Sequence, residues 1–207
     1  MSTSAKVTAR QRIENLLDDN SFVEIGAYVK ARNTDFNIQA KDTPSDGVIT
    51  GYGVINGGLV YVYSQDASVL GGSVGEMHAK KIASLYDMAM KTGSPVIGLI
   101  DSTGLRLQES VDGLNAFGQI YMKQSLASGV IPTVTAIFGN CGGGLSIVAG
   151  LSDFTFMEVE NAQLFVNSPN AITENRKEIC DNASAKFQSE EAGNVDFVGT
   201  EAEVIEG

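Results

Sequence analysis

The chain has 207 residues, 43% of them apolar and 19% charged, a balance that is typical of one folded globular domain and excludes a disordered chain. Its 14 lysine and arginine residues stand against 25 aspartate and glutamate residues, which gives a formal net charge of −11. A surface of this charge repels nucleic acid and anionic membranes, so we expect neither as a partner, although ordinary solubility also favours an acidic surface.

The amino-terminal part of the chain is predicted to form a helix and a hairpin. Met1–Arg10 has no apolar signal region, and no apolar run approaches the roughly 20 residues that span a bilayer, which predicts a cytoplasmic protein. A short amphipathic helix is predicted over Thr8–Leu17, followed by a polar loop over Lys30–Pro44. Two strands come next, at Gly47–Ile55 and Leu59–Gln65, and the Asn-Gly dipeptide between them indicates a tight hairpin.

A unit of strand, glycine-rich loop and helix then recurs three times. Its strands begin at Val60, Val96 and Val134. Its helices are predicted to end near Lys91, Ser128 and Leu151. This spacing suits one strand, one loop and one helix per turn of a superhelix, but a doubly wound sheet has the same rhythm, so periodicity leaves both open. In either fold, the loops at the carboxyl ends of the parallel strands are the expected position of a ligand.

The last third of the chain is predicted to contain shorter elements. Two strands are expected near Phe154–Glu158 and Gln163–Val166, with Asp153 opening the first of them. A helix-like stretch, Ala183–Ala192, precedes an apolar segment and an acidic tail. The chain stops at Ile205–Gly207 without a capping motif, and we interpret this end as a domain boundary.

Three consecutive glycines, Gly142, Gly143 and Gly144, stand where the third strand meets its helix. Their unshielded N–H groups suit a thioester oxygen that becomes an enolate oxyanion, while the alternative is tight packing where only glycine fits. The loop Asp101–Arg106 ends the neighbouring parallel strand, so one N–H group from each loop would make a two-pronged oxyanion hole. Arg106 is a candidate for contact with a phosphate or a carboxylate, or for a surface or helix-capping role.

The other notable residues favour structural roles. Gly71 and Gly72 open a loop that lacks the Lys-Ser/Thr ending of a P-loop, so we interpret it as a helix amino-terminal loop over which a ligand passes. His78 is the only histidine, which argues against a Ser-His-Asp triad and a histidine-rich metal site, and no metal is expected. Cys141 and Cys180 form no C-x-x-C pair, which favours a reducing compartment and a buried filler role for Cys141. No acid/base pair stands out, and an enzyme that stabilises an enolate while a cofactor handles the carboxyl group needs none.

The third loop resembles a known oxyanion motif. Val134–Ala149 reads V-T-A-I-F-G-N-C-G-G-G-L-S-I-V-A and is similar to the strand–GGG–helix segment of the crotonase superfamily. This resemblance implies an α/β fold of the ClpP/crotonase type, a spiral of repeated ββα units. Enoyl-CoA hydratases of the superfamily carry a catalytic glutamate at the second position after the last glycine, where this chain has Ser146, so hydratase chemistry is disfavoured.

A closer resemblance, to the biotin-dependent acyl-CoA carboxyltransferases, runs almost end to end. Gly71–Lys81 reads G-G-S-V-G-E-M-H-A-K-K and is similar to the family's G-G-S-x-G-E-M-H-A-K-K, and Asp101–Glu109 is similar to D-S-G-G-A-R-I-Q-E. The chain departs from the family at Leu105 and Leu145, where alanine is usual, and the larger Leu105 is expected to narrow the acyl pocket. Further matching segments are Arg12–Asp18, Ser21–Ile25, Thr34–Phe36 and Asp46–Gly53.

The resemblance implies a set of site residues. The oxyanion hole would be formed by the backbone N–H groups of Gly104, Leu105, Gly143 and Gly144. The acyl-CoA site would include Gly71, Gly72, Arg106 and Gly142. Candidate partners for the CoA phosphates are Lys30, Arg32 and Lys80, each of which could equally be a solvated surface residue. The acyl group stays open among the acetyl-, propionyl- or methylmalonyl-, and glutaconyl-CoA types, and so does the direction of transfer.

The resemblance also implies partners. Residues 1–207 match only the amino-terminal crotonase-like domain of the family, and we expect the second domain, which binds carboxybiotin, to be missing here. Biotin would then sit on a biotin carboxyl carrier protein, and the chain would form a homo-oligomer. Two alternatives stay open: a crotonase-type enoyl-CoA hydratase or isomerase, and a non-catalytic crotonase-fold scaffold subunit, which the departures at Thr103, Leu105 and Leu145 would fit. A Clp-type serine protease lacks a triad.

Overall fold

The computed structural model describes residues 7–33, 42–168 and 182–207. Most of the polar loop predicted over Lys30–Pro44, including the matching segment Thr34–Phe36, lies outside these ranges, as does Cys180. No helix in the described parts of the chain is both long enough and apolar enough to cross a membrane.

A mixed sheet forms the centre of the described structure, with helices on both faces. Its strands are β1 (Val23–Ile25), β2 (Val48–Ile55), β3 (Gly58–Gln65), β4 (Val96–Ser102), β5 (Thr133–Gly142), β6 (Phe154–Glu158), β7 (Gln163–Phe165) and β8 (Phe197–Gly199). The helices are α1 (Ala9–Leu16), α2 (Glu76–Thr92), α3 (Ser110–Ala127), α4 (Gly144–Gly150) and α5 (Glu201–Glu206), with a short π-helix at Phe187–Glu191.

The order of the strands decides between the two folds that periodicity left open. The sheet runs β1-β2-β3-β4-β5-β6-β8, with β7 beside the end of β5, and every pair after β3 is parallel. The order never reverses, as it would in a doubly wound sheet. The crossover helices α2, α3 and α4 contribute to one apolar core on one face. Successive units therefore advance in one direction, which confirms the predicted spiral.

A second layer of strand pairing completes the repeated unit. Val74 and Leu105 form a parallel bridge, in which the Val74 N–H donates to the Gly104 carbonyl at 2.8 Å and the Arg106 N–H donates to the Val74 carbonyl at 2.9 Å. The end of β5 pairs in the same way with β7, with Cys141 opposite Leu164. Each loop after a main strand thus contains a second extended segment, as the ββα description requires.

Local sequence signals account for several element boundaries. Thr8 caps α1 in a capping box with Gln11, whose side chain accepts the Thr8 N–H. Ile55 pairs with Gly58 across a two-residue turn in which Asn56 and Gly57 both have positive φ, so the predicted hairpin is confirmed.

Apolar side chains fill both faces of the sheet. Tyr63 of β3 and Ile137 of β5 pack with Leu85 of α2 in the core on the face that α2, α3 and α4 cover, and each is almost fully buried. Ile13 of α1 packs with Leu99 on the opposite face, beside α5. β3, β4 and β5 contribute side chains to both cores, and the carboxyl ends of these strands carry the candidate site.

The structure corrects three sequence-based boundaries. Residues 139–142, predicted as a loop, belong to β5, because β7 supplies the hydrogen-bonding partner for residues 140–142. Gly139 tolerates no side chain there, since a Cβ would collide with the Asp101 carboxylate. The helix after Arg106 begins only at Ser110, and the helix-like stretch Ala183–Ala192 is largely the π-helix Phe187–Glu191.

Candidate functional site

Two loops meet at the carboxyl edge of the parallel strands. β4 ends at Ser102 and leads into the loop that contains Leu105, while β5 ends at Gly142 and leads into α4. β4 and β5 are neighbours, and a Cβ on Gly104 would lie 3.4 Å from the Gly142 carbonyl oxygen. The side-by-side arrangement expected from parallel pairing is therefore present.

The four predicted oxyanion donors fall into two classes. The Gly104 N–H donates to the Ser102 hydroxyl oxygen at 3.1 Å, and the Gly143 N–H donates to the Phe165 carbonyl at 3.0 Å. These two groups are engaged within the protein and are not free for a ligand, which departs from the prediction. Within the described residues, no acceptor is found for the N–H groups of Leu105 and Gly144. One unpaired donor on each loop remains.

Backbone alternation gives the direction of the Leu105 donor. Successive N–H groups along an extended segment point to opposite sides. The Arg106 N–H points to Val74, so the Leu105 N–H points away from Val74. On the side of β4 away from β3 lie β5 and the loop that follows it. The Gly144 N–H belongs to that loop, at the first residue of α4.

The three glycines of the third loop have different reasons to be glycine. A Cβ on Gly142 would lie 2.5 Å from the Phe165 ring, and one on Gly144 would lie 2.7 Å from the Tyr121 hydroxyl. A side chain at either position would therefore have to displace the Phe165 ring or the Tyr121 hydroxyl. Gly143 instead has φ of +59°, a conformation that side chains disfavour, and nothing lies within 4 Å of where its Cβ would be. The space beside Gly143 is open.

Gly71 and Gly72, predicted to line an acyl-CoA site, support the second loop. The Gly71 carbonyl accepts the Thr103 N–H at 2.9 Å, and the Gly72 carbonyl accepts the Ser102 hydroxyl at 2.6 Å. A Cβ on Gly72 would collide with the Asp101 carbonyl oxygen. The close approach of these two glycines to the backbone around Ser102 fixes the position of the end of β4 and of the loop that follows it.

Arg106 is buried, with 4% of its surface exposed, and its guanidinium is committed to groups of the protein. Its Nη1 donates to Asp46 Oδ1 at 2.6 Å and to Glu109 Oε1 at 2.9 Å. Its Nε donates to the Ser73 hydroxyl at 3.2 Å, and its Nη2 donates to the Ser73 carbonyl at 2.6 Å and to the Asp46 carbonyl at 3.5 Å. All five N–H donors are accounted for, so the predicted contact with a ligand phosphate or carboxylate is replaced by a structural role.

The three cations proposed for the CoA phosphates are all paired with carboxylates. Lys30 contacts Asp42 at 2.8 Å, and Lys80 contacts Glu76 at 2.6 Å. Arg32 contacts Asp112 and, at 3.4 Å, Glu76. All three cations are at least two-fifths exposed, so such pairs contribute little stability, and a phosphate would have to displace a carboxylate to bind there.

His78 and Cys141 have the structural roles that the sequence favoured. His78 is fully buried, its Nδ1–H donates to the Asp46 carbonyl at 3.0 Å, and its Nε2 accepts from Gln65 Nε2 at 3.1 Å. Burial lowers the pKa of His78 to about 3, so the ring is neutral. Cys141 is also fully buried, and burial raises the pKa of its thiol to about 12, so it is not a nucleophile. No group of three or more metal-ligating side chains is found in the described ranges.

Sequence reasoning missed Asp46, whose side chain links several of these groups. Besides Arg106, its carboxylate accepts the His78 backbone N–H at 2.8 Å. Burial raises the pKa of Asp46, although the guanidinium of Arg106 opposes this shift. The sequence did place Asp46 in a segment that resembles the family and that also contains a turn. Nothing in the sequence indicated which cation would pair with its carboxylate.

A cavity of about 380 Å³ adjoins the third loop on the side of Ser146. The Ser146 hydroxyl donates to the Gly143 carbonyl at 2.7 Å, so the position that holds a glutamate in hydratases carries a hydroxyl engaged in the loop. Phe165 lines the same cavity and accepts the Gly143 N–H. The volume is within the range of small-ligand sites.

The sequence of the chain is similar to those of a known domain family and of carboxylase and decarboxylase subunits. The model of the carboxyl transferase domain family matches residues 2–204. The methylmalonyl-CoA decarboxylase subunit alpha of Propionigenium modestum is 48% identical over 169 residues, which cover 82% of this chain and 33% of that protein. The propionyl-CoA carboxylase beta chain of Roseobacter denitrificans is 48% identical over 167 residues, or 81% of this chain and 33% of that one.

A solved structure agrees with the sequence comparison. The transcarboxylase 12S core, solved as a hexamer assembly with hydrolysed methylmalonyl-coenzyme A bound, superposes with a TM-score of 0.91 at 37% identity. The match covers 96% of this chain and 39% of that one. The chain thus spans about a third of the length of the curated relatives it matches.

Proposed function

This chain belongs to the carboxyl transferase domain family, and on that premise we propose that it is the acyl-CoA-binding half of a biotin-dependent carboxyltransferase or decarboxylase. In this function the chain binds the thioester of an acyl-CoA and stabilises its enolate. A carboxyl group moves between carboxybiotin and the α-carbon of the acyl group. One matched relative is a carboxylase subunit and the other is a decarboxylase subunit, so the resemblance fits carboxyl transfer in either direction.

The observation that carries the proposal is the pair of unpaired N–H groups, at Leu105 and Gly144, on two adjacent loops. When the bond between the α-carbon and a carboxyl group breaks, its electron pair spreads onto the thioester oxygen. Two N–H donors aimed at that oxygen would stabilise the developing charge, and removal of one such donor typically lowers turnover about 10²- to 10³-fold. The same pair would hold the enolate when the bond forms in the reverse direction.

Biotin, carried by a partner protein, would supply the carboxyl group, and we assign none of the described residues to hold it. This chain's own residues bind and orient the thioester. The biotin nitrogen that gives up the carboxyl group would take the α-proton in exchange, so no general base is required of this chain, which fits the neutral, buried state of His78 and the buried thiol of Cys141. The hydroxyl of Ser146 cannot replace the carboxylate of a hydratase, so the geometry does not favour the hydratase alternative.

We propose propionyl-CoA or methylmalonyl-CoA as the first ligands to test. The names of the two relatives specify these acyl groups, and the transcarboxylase core was solved with a derivative of one of them. Leu105 lies at a position where the family has alanine. Its side chain packs against Gly113 of α3, because a Cβ on Gly113 would lie 3.0 Å from Leu105 Cδ1.

The partners we propose are a second carboxyltransferase domain, a biotin carboxyl carrier protein and further copies of the chain. α3 supports this, because it exposes an apolar stripe at helical spacing. Its exposed members are Val111, Leu114, Met122 and Leu126, which are between 52% and 71% exposed. A surface of this kind is usually covered by another domain or subunit.

Calorimetric titration of the chain with acetyl-, propionyl-, methylmalonyl- and crotonyl-CoA tests the proposal. We expect saturable binding of one ester and its loss in Gly143→Ala, whose methyl group would enter the open space beside the loop. Gly129→Ala is the matched control, because Gly129 also has positive φ and nothing within 4 Å of its Cβ position, and it lies beyond the carboxyl end of α3. If no ester binds, the titration is repeated on the assembly that contains the second domain. Failure there as well would contradict the proposal and favour the scaffold alternative.

A further inference from the structure

A buried ion cluster lies directly behind the Leu105 loop. Its members are Asp46, Arg106 and Glu109, which are 0%, 4% and 3% exposed. Buried charges of this kind are costly unless ion pairing and further hydrogen bonds compensate for lost hydration. Here the compensation is complete for the guanidinium, which uses every donor it has.

The cluster joins three separate segments of the chain. Asp46 lies in the turn before β2, and it also accepts the His78 N–H from the first turn of α2. Glu109 accepts the Glu76 N–H at 2.6 Å, so it caps the same helix. Ser73, in the glycine-rich loop, accepts from the guanidinium through both its hydroxyl and its carbonyl. Arg106 contacts the turn at Asp46 and the glycine-rich loop at Ser73, and it belongs to the loop of Leu105.

The backbone of the Leu105 loop is held on one side only. The Val74 bridge engages the Gly104 carbonyl and the Arg106 N–H, the two groups on either side of residue Leu105. The Leu105 N–H faces the other way and has no acceptor among the described residues. The Leu105 N–H shares one planar peptide group with the Gly104 carbonyl, so the bond from the Val74 N–H sets its direction. The Val74 N–H in turn shares a peptide group with the Ser73 carbonyl, which Arg106 Nη2 holds at 2.6 Å.

We infer that the ion cluster is a positioning device, in which Arg106, held by Asp46 and Glu109, fixes the direction of the Leu105 N–H. The inference rests on the proposed function, since it concerns the same donor. Arg106 does not contact the substrate in this scheme and acts through Leu105. Arginine is required because its planar fork reaches two carboxylates and Ser73 together, while lysine is a point charge that cannot span them. A displacement of about 1 Å at such a donor can cost about 10²-fold in rate.

Isotope-edited infrared spectroscopy of bound propionyl-CoA, labelled with ¹³C at the thioester carbonyl, tests the inference. Hydrogen bonds to a carbonyl oxygen polarise it and lower its stretching frequency. The measurement uses the form of the protein, single chain or assembly, that binds the ester in the titration. We expect a downward shift of the carbonyl band on binding, loss of the greater part of it in Arg106→Lys, and loss of a smaller part in Glu109→Gln.

Two controls separate positioning from general stability. Arg12→Lys is matched for burial and chemistry, because Arg12 is 2% exposed and contacts Asp101 at 3.4 Å and Glu201 at 2.6 Å from the opposite face of the sheet. It should keep the full shift even if it lowers the unfolding temperature. Affinity for coenzyme A without an acyl group should be unchanged in Arg106→Lys, whereas a merely structural role would weaken both ligands together.

The outcomes distinguish the inference from the function on which it rests. A full band shift in folded Arg106→Lys, or in Glu109→Gln where the lysine variant does not fold, overturns the positioning role and leaves the proposed oxyanion hole standing. Equal loss of affinity for coenzyme A and its thioester also overturns it. A wild-type protein that binds propionyl-CoA without any band shift removes the oxyanion hole itself, and the inference with it.

Discussion

The N–H group of Gly143 donates to the Phe165 carbonyl at 3.0 Å, and this bond ties the start of α4 to β7. The Phe165 ring also packs on the turn, against the backbone of Gly142. One residue of a three-residue strand therefore holds the third loop through both its backbone and its side chain. The position of the Gly144 N–H, which follows directly, depends on this contact.

Gly142→Ala should destabilise the protein by about 1 to 3 kcal/mol, because the new methyl group would lie 2.5 Å from the Phe165 ring. Phe165→Leu removes the obstructing ring, so the double variant should lose less stability than the two single variants together. Urea unfolding of the four proteins measures this coupling. Additive losses would mean that the ring can move aside and does not hold the loop.

Gly113→Ala and Gly118→Ala form a matched pair within α3. A methyl group at Gly113 would lie 3.0 Å from Leu105 Cδ1 and 3.2 Å from the Arg106 carbonyl, whereas one at Gly118 would meet nothing within 4 Å. We expect Gly118→Ala to stabilise the protein by about 0.5 to 1 kcal/mol, since alanine is the better helix former. Gly113→Ala should destabilise it by about 1 kcal/mol or more.

The same pair tests the position of the Leu105 side chain. If Leu105 leans onto Gly113, then Leu105→Ala should restore the stability lost in Gly113→Ala. Thermal unfolding of the single and double variants gives the answer, with Gly118→Ala in the Leu105→Ala background as the control. An equal loss in both backgrounds would place the Leu105 side chain elsewhere.

Local chemistry in the sequence was enough to predict most of the fold. The cap at Thr8, the Asn-Gly turn and the recurring strand–loop–helix unit all appear in the structure. Periodicity does not distinguish a spiral from a doubly wound sheet, because strands and helices alternate along the chain in the same way in both folds. The extension of β5 through Gly142 was also missed, since a strand rich in small residues forms only where another strand, here β7, offers its hydrogen bonds.

The candidate site was predicted less completely. Sequence patterns located both loops but not which N–H groups remain unpaired, because that depends on acceptors from distant segments such as Phe165. For the same reason the sequence predicted that Arg106 contacts a ligand. In the structure its guanidinium instead pairs with the carboxylate of Asp46, which lies 60 positions earlier. Side chains that pair across such distances leave no local pattern.

Acid should destabilise the folded protein through His78. The ring takes up a proton in the unfolded chain near its ordinary pKa of 6.5, while burial holds the folded-state pKa at about 3. Between these values protons bind the unfolded state preferentially, so the stability that is present above pH 6.5 declines as the pH falls. The His78 contribution to this loss between pH 7 and pH 5 should be about 2 kcal/mol.

Urea unfolding of the wild type and of His78→Gln at pH 7 and pH 5 measures that contribution. Glutamine keeps a polar group near the Asp46 carbonyl but does not titrate, so the variant should be less stable than the wild type at pH 7 and should lose less stability on acidification. Carboxylates titrate in both proteins and cancel in the comparison. Equal pH dependence would show that the ring is accessible to protons in the folded state.

Cys141 should be inert to thiol reagents while the protein is folded. It is fully buried, and with a pKa of about 12 only about 10⁻⁴ of the thiol ionises at pH 8, whereas an ordinary thiol is substantially ionised there. In a Cys180→Ser background, labelling by a chromogenic disulfide should therefore proceed at the rate at which the chain opens, and it should be complete within seconds in denaturant. Rapid labelling under native conditions would make Cys141 an accessible nucleophile next to the glycine loop, and the assignment of that loop to backbone donors alone would have to be abandoned.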